Sequence, residues 1–439
     1  MNRTWPRQWA GAWLGLWSLA AQAQAYPGPT QDELRDTFRE NVAAALQRSP
    51  QLRRQQAEFE AAQSDVDEAR GQRWPQIQLG AQSAAQEFGG SSDSDRGDGS
   101  GLNLSMTTPV FTWGRIGKTI DSQRYAASAA EAGVAAEREV LAADVIDTLL
   151  QLGEQRIVVD VSLAFERRMI ELVEMLGGIV KVDAGRASEL TQARARLLQA
   201  RAAREAAQTR VGEAQIQLRK LTGERPLALP RGKSWNLYPA QLDSSLEQVP
   251  LHPTLQQTAA TAEAAQTRAE AVRASALPRL DWVVSKSSAE DSLGREQPWQ
   301  TSLAVTWDVF RGGSTQASER AALQRAAASR EANDQQQLDL EYQVRTAHHD
   351  ADMALQRADL YRDLSLESDQ VRQAFYQQWY HLGRRTLLDV LIAENDHYQN
   401  QVNEVTSRFE GYRSIFREYA AAGTLTRWLG VEPVVQPIN

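Results

Sequence analysis

PQLRRQQAEFEAAQSDVDEARGQRWP, running from Pro50 to Pro75, returns as PTLQQTAATAEAAQTRAEAVRASALP from Pro253 to Pro278. At this offset of 203 residues, Pro50, Leu52, Ala57, Glu60, Gln63, Arg70 and Pro75 meet Pro253, Leu255, Ala260, Glu263, Gln266, Arg273 and Pro278. Further on, at an offset of 199, Leu104, Val110, Phe111 and Gly114 meet Leu303, Val309, Phe310 and Gly313. Later, at 198, Gly185, Arg186, Leu190 and Ala195 meet Gly383, Arg384, Leu388 and Ala393. An offset that changes only across loops marks a duplicated unit, and this period is too long for a solenoid.

Each copy lays out the same parts. An Ala-rich helix comes first, roughly 31–72 and then 251–276. After a proline the apolar spacing switches to two. Ile77, Leu79 and Ala81 alternate with Gln76, Gln78, Gly80 and Gln82, and Leu102, Leu104 and Met106 alternate with Asn103, Ser105 and Thr107. The second copy does the same through Leu280, Trp282 and Val284, and through Leu303, Val305, Trp307 and Val309. Strict alternation predicts strands with one apolar and one polar face, two in each copy, at about 75–112 and about 278–310.

Proline-free stretches follow, Gly114 to Val182 and Gly313 to about His381. Each ends in a glycine-bearing turn and comes back as a second helix. The tips of these hairpins fall near 183–188 and 381–386. The returning helix of the second copy carries two heptad columns: Leu388, Asn395, Val402, Phe409, Phe416, and Leu391, Tyr398, Val405, Tyr412, Tyr419. In the first copy one column is Leu190, Leu197, Arg204, Val211, Leu218. The other is alanine-rich, Ala193, Ala200, Ala207 and Ala214 ending in Leu221, which permits close helix approach.

The beginning of the chain reads as a targeting segment, 1–25. Arg3 and Arg7 precede an apolar run from Trp9 to Ala21, and Ala23-Gln24-Ala25 has the small-x-small spacing of a cleavage site. The first repeat is then 26–222, the connection 223–250, the second repeat 251–430 and a short tail 431–439. There is no cysteine, which rules out disulfides and a lipid-modified cysteine. Removal of Arg3 and Arg7 takes the formal charge from −8 to −10, which argues against nucleic acid as a partner. Five of the eight remaining tryptophans, Trp74, Trp113, Trp282, Trp299 and Trp307, lie at or near strand ends. That is where a membrane barrel carries its aromatic girdle. Four strands leave open edges that lipid does not tolerate, so a membrane reading requires several chains.

Catalytic constellations are missing. Gly117-Lys118-Thr119 lacks the glycine that a phosphate loop needs at Thr112, and the Arg96-Gly97-Asp98 triplet sits in a polar loop. His348 and His349 point about 100° apart on a helix. His252, His381 and His397 lack metal-ligand spacing. No enzyme activity, cofactor or metal is expected.

These parts in this order resemble the TolC family of outer-membrane efflux and secretion proteins. The most specific stretch runs from Tyr380, reading Tyr-His-Leu-Gly-Arg-Arg-Thr-Leu-Leu-Asp-Val-Leu, to Ala421-Ala422-Gly423-Thr424-Leu425. The resemblance implies a fold that is mainly α with a membrane β-barrel portion. Three chains of four strands would close a twelve-stranded barrel in the outer membrane of a Gram-negative bacterium, above an α-helical barrel in the periplasm. It implies a passive duct in a homotrimer, partnered by a periplasmic adaptor and an inner-membrane pump of ABC or RND type. The tips Gly185, Arg186, Gly383 and Arg384 would dock the adaptor. Tyr380, Arg385 and Asp389 match the family's gate positions, whereas a second ring aspartate falls on Ile392. An acidic partner in the first hairpin falls on Thr191, with Glu189 two residues earlier. The expected latch is therefore Arg385 or Arg384 with Glu189. Cargo stays open between a secreted polypeptide and small molecules, and the missing lipid-anchor cysteine tilts it toward type I secretion. The competing reading is a non-pore periplasmic coiled-coil scaffold or adaptor.

Overall fold

The computed structural model describes residues 29–82, 101–223, 230, 232–289 and 296–431. The expected targeting segment, most of the Gly/Ser/Asp loop with its Arg96-Gly97-Asp98, and the tail beyond Val431 lie outside the described residues.

The elements are helices α1 (Gln31–Arg48) and α2 (Pro50–Gly71), strands β1 (Gln76–Gln82) and β2 (Gly101–Phe111), and the helical hairpin α3 (Arg115–Val182) and α4 (Ala187–Thr222). A short α5 (Leu242–Gln248) lies in the connection. The second copy repeats the order as α6 (Pro253–Ser275), β3 (Arg279–Ser287), β4 (Gln300–Thr306), α7 (Ser314–Tyr380) and α8 (Leu387–Ala421), closed by α9 (Leu425–Leu429). The duplication is therefore structural. The 68 residues of α3 make a rod on the order of 100 Å long.

Two sequence expectations change at their ends. The first helix is not continuous: Ser49 ends α1 and caps α2, its hydroxyl accepting the Leu52 N–H at 3.2 Å, with Pro50 preset for the first helical turn. The alternation at Trp307 and Val309 also runs past the strand, since β4 stops at Thr306.

The four strands form one antiparallel sheet in the order β1-β2-β3-β4. Directly opposed residues share a face. Ile77↔Met106, Leu79↔Leu104, Met106↔Val284, Trp282↔Leu303 and Leu280↔Val305 therefore make one continuous apolar face. Gln78↔Ser105, Asn103↔Ser287 and Val283↔Ser302 belong to the other, mostly polar face. The apolar side is uncovered: Leu79 and Val305 are each 70% exposed. Each strand pair enters its long helix through a left-handed glycine, Gly114 at φ 79° and Gly313 at φ 81°. Only glycine takes this conformation without steric cost, so the repeat preserves a backbone requirement.

Packing is concentrated at two levels. An equatorial core joins α1, the middle of α3 and the end of α8 through Phe38, Ile146, Leu149, Phe409, Tyr412 and Ile415. The connection adds Trp235, whose backbone N–H donates to the Tyr412 hydroxyl at 2.7 Å. A second cluster fills the far end of the two hairpins. The alanines of the α4 seam are buried as expected, and α3 and α4 pack closely. In α8 the seam starts at Leu387 and Leu391; Leu388, assigned to it from the heptads, is half exposed. Among the described residues no helix is long and apolar enough to cross a membrane.

Candidate functional site

Below the equator the helices pack in the sequence α4, α3, α8, α7, so the two hairpins meet along α3 and α8. Their far ends share a hydrophobic cluster: Met169, Leu172 and Leu176 of α3, Leu190 and Leu197 of α4, Trp379 of α7, and Leu387, Val390 and Leu391 of α8. The tips protrude from it.

In the first tip Asp183 accepts the Gly185 N–H at 3.0 Å, which sets the turn. Arg186 holds Glu189 with two hydrogen bonds, at 2.8 and 3.2 Å. Its guanidinium also lies 5.5 Å from the ring centre of Trp379 in the second hairpin. Thr191 returns its hydroxyl to the Ala187 carbonyl at 3.1 Å and stays exposed. In the second tip Gly383 takes φ 62°, and the Arg384 N–H closes onto the Gln378 carbonyl at 3.0 Å. Arg385 donates to Gln378 Oε1 at 3.2 Å and stacks 4.0 Å over Phe375. Tyr380 stacks on Tyr376 with centroids 5.9 Å apart. Asp389 closes a capping box with Thr386: its carboxylate accepts the Thr386 N–H at 3.1 Å and hydroxyl at 3.0 Å. Those donors, with Arg385 nearby, hold the carboxyl below its ordinary range.

The structure does not bring Arg384 or Arg385 to Glu189. Arg186, three residues away on the same turn, takes that carboxylate first. The polar link between the hairpins lies further up the helices, at residues the sequence reading passed over. Arg168 of α3 donates to Glu394 of α8 at 2.8 Å, and its guanidinium lies 4.5 Å over the ring of Tyr376. The Glu394 side chain is 3% exposed. Arg372 of α7 reaches both of its oxygens at 3.5 Å while bonding Asp369. Ser162 and the Tyr398 hydroxyl meet at 3.1 Å nearby. A signal for this existed: Glu394 lies three residues after Leu391 and four before Tyr398, on the buried stripe itself. A carboxylate there needs a cation.

At the other end, Trp74, Trp113 and Trp307 gather at the helix side of the sheet and Trp299 at the opposite rim, all exposed. Trp282 lies within β3 on the apolar face, its indole N–H donating to Thr301 at 2.8 Å. Among the described residues no cluster of side chains could hold a metal ion.

A two-hairpin rod crowned by a four-stranded sheet invites comparison. The outer membrane efflux protein family matches residues 41–224 and 250–411. The fold is similar to that of the Campylobacter jejuni CmeC outer membrane channel, with TM-score 0.78 and 16% identity over 96% of this chain and 94% of that one. It is also similar to the Vibrio cholerae outer membrane protein VceC, with TM-score 0.77 and 18% identity over 88% and 96%. The open Neisseria gonorrhoeae MtrE channel gives TM-score 0.73 and 17% identity over 88% and 89%. No curated protein matches the chain. CmeC and MtrE are outer membrane channels. The family match spans both repeats, and the chain belongs to the outer membrane efflux protein family.

Proposed function

We propose that the protein is the outer-membrane duct of a tripartite export system, a passive conduit for small-molecule efflux or type I secretion. One observation carries this reading: an exposed apolar sheet face whose edge strands, β1 and β4, each pair on one side only. In water such a face and two such edges are liabilities. In lipid the face is solvated by acyl chains, and the edges close when β4 of one copy pairs with β1 of the next. Three copies give twelve strands. The same head-to-tail arrangement sets α4 of one copy against α7 of its neighbour, where Leu198 and Ile216, and Leu360 and Leu364, stand exposed. The tips around Gly185, Arg186, Gly383 and Arg384 project furthest from the sheet and would receive a periplasmic adaptor bound to an inner-membrane ABC or RND-type pump. The hairpin junction is the gate, with Tyr380, Arg385, Asp389, Thr191 and Glu189 on the tips below the latch of Arg168 and Glu394. The five tryptophans at and near the sheet rims serve as the interfacial girdle.

The test is the state of the expressed protein. Fractionation should find it in the outer membrane as a trimer that resists detergent until heated. A water-soluble monomer with no detergent affinity would overturn the proposal.

A further inference from the structure

On the polar face of the sheet the described side chains are small or uncharged, with two exceptions. Arg279 opens β3 and Asp281 stands two residues on, so both point to the same side. The Arg279 Nε lies 3.2 Å from Asp281 Oδ2. Asp281 is 7% exposed and the Arg279 side chain 56%, so the carboxylate is sheltered while the guanidinium stands in the open. The third charged residue of β3, Lys286, opposes Leu104 on the apolar face and donates to the Gln297 carbonyl at 2.7 Å. β1, β2 and β4 carry no charge.

Resting on the duct reading, in which the polar face lines the bore, we infer that Arg279 and Asp281 form a charge-cancelling ring at the helical end of the exit barrel. Asp281 is the member that keeps the bore from selecting by charge. Three bare guanidiniums around a bore would concentrate anions and repel cations, as charged rings do in selective pores. A carboxylate held against each reduces that field to a short-range dipole. The last segment of the duct then passes anionic, cationic and neutral cargo alike, and sorting by charge is left to the hairpin end.

The chain has no cysteine, so Ser302→Cys supplies a unique thiol. Ser302 is exposed on the polar face, two residues along β4 from Ala304, the cross-strand partner of Asp281. In whole cells, the thiol is reacted with a cationic and an anionic methanethiosulfonate of similar size. Each rate is normalised to that of a small free thiol. The expected cation-to-anion ratio is about one, because the ring cancels. Asp281→Asn should move it about sevenfold toward the anionic reagent, because a potential of about one kT changes the two rates about 2.7-fold each in opposite directions. Arg279→Gln should move it the other way, and the double substitution should restore it. A ratio that Asp281→Asn and Arg279→Gln both leave unmoved, in a reactive and trimeric protein, overturns the inference. Failure of the duct reading looks different: Ser302→Cys would be inert while Leu303→Cys, on the opposite face, reacts.

Discussion

Replacing Arg168 by Met should open the hairpin junction. The substitution keeps much of the stem that packs beside Phe165 and Tyr376 but removes the 2.8 Å bond to Glu394 and the cation over Tyr376. Taking one partner from a buried ion pair costs about 3–5 kcal/mol, because the other charge stays out of water. Here the cost is smaller. Arg372 remains 3.5 Å from both Glu394 oxygens, and Arg168 is itself a quarter exposed. A figure of about 2 kcal/mol follows, which is about a thirtyfold shift in the balance of closed and open tips. Because Arg372 and Asp369 belong to the second hairpin, the loss falls on the contact between hairpins rather than within one. Planar-bilayer recordings of the purified trimer read this directly as a higher frequency and duration of open events. Glu394→Gln should act in the same direction. The pair of substitutions together should be less than additive, since each removes the same bond. If Arg168→Met trimers conduct as the parent does and Glu394→Gln trimers also do, the junction is not held by this pair.

Three further outcomes follow from the geometry. Asp389→Ala should weaken block of the open channel by multivalent cations, whereas Thr386→Ala, which loses the capping hydroxyl but keeps the carboxylate, should block as before; equal block in parent and Asp389→Ala removes Asp389 from the pore. At Gly411 an added Cβ would meet Leu355 Cδ2 at 2.7 Å, so Gly411→Ala should lower the thermal midpoint by an amount corresponding to about 1–3 kcal/mol of overpacking, and Leu355→Ala should relieve it. His252 caps α6, its Nδ1 accepting the Thr254 N–H at 3.0 Å while Nε2 donates to the Ala420 carbonyl at 3.1 Å, and burial holds its pKa below the ordinary 6.5. With the folded value depressed, its contribution is complete above pH 6.5 and is lost as pH falls from there through the folded pKa, so unfolding in detergent should be easier at acid pH, and His252→Asn should flatten that dependence.

Much of this architecture was legible because it is written in periods. Alternation by two placed the sheet, and the seam of α8 followed from columns at 3/4 spacing. The shared glycines Gly114 and Gly313 marked where each strand pair turns into a rod. Legibility failed where the outcome depends on competition between neighbours. Glu189 has an arginine at three residues' distance, and local pairing with Arg186 forestalls any approach by Arg385, which is already held by Gln378 and Phe375. Periodicity alone does not give the rotation of one hairpin against the other, and that rotation decides which cation reaches Glu394. The end of β4 was lost for a related reason. Trp307 and Val309 keep the alternating pattern, but the Trp307 indole N–H bonds the Ala276 carbonyl outside the sheet, and the backbone leaves the ladder at Thr306.

The composition of the junction also bears on why it would serve as a gate. Helices that stay together are best joined by apolar seams, as α3 and α4 are by the alanine column. Between the hairpins the contact adds to its shared apolar cluster an ion pair, a cation over a ring and a tyrosine hydroxyl bond, whose polar groups water solvates well once they part. The indole N–H of Trp379 is buried there with no acceptor among the described residues. An unsatisfied buried donor costs about 1–3 kcal/mol, and that cost disappears on exposure. The junction in this arrangement thus carries both its bonds and a standing penalty, and the two are of similar size. Trp379→Phe removes the penalty while keeping the packing, so it should lengthen closed times in the same recordings in which Arg168→Met shortens them; closed times unaltered by Trp379→Phe would mean the indole is satisfied within the trimer.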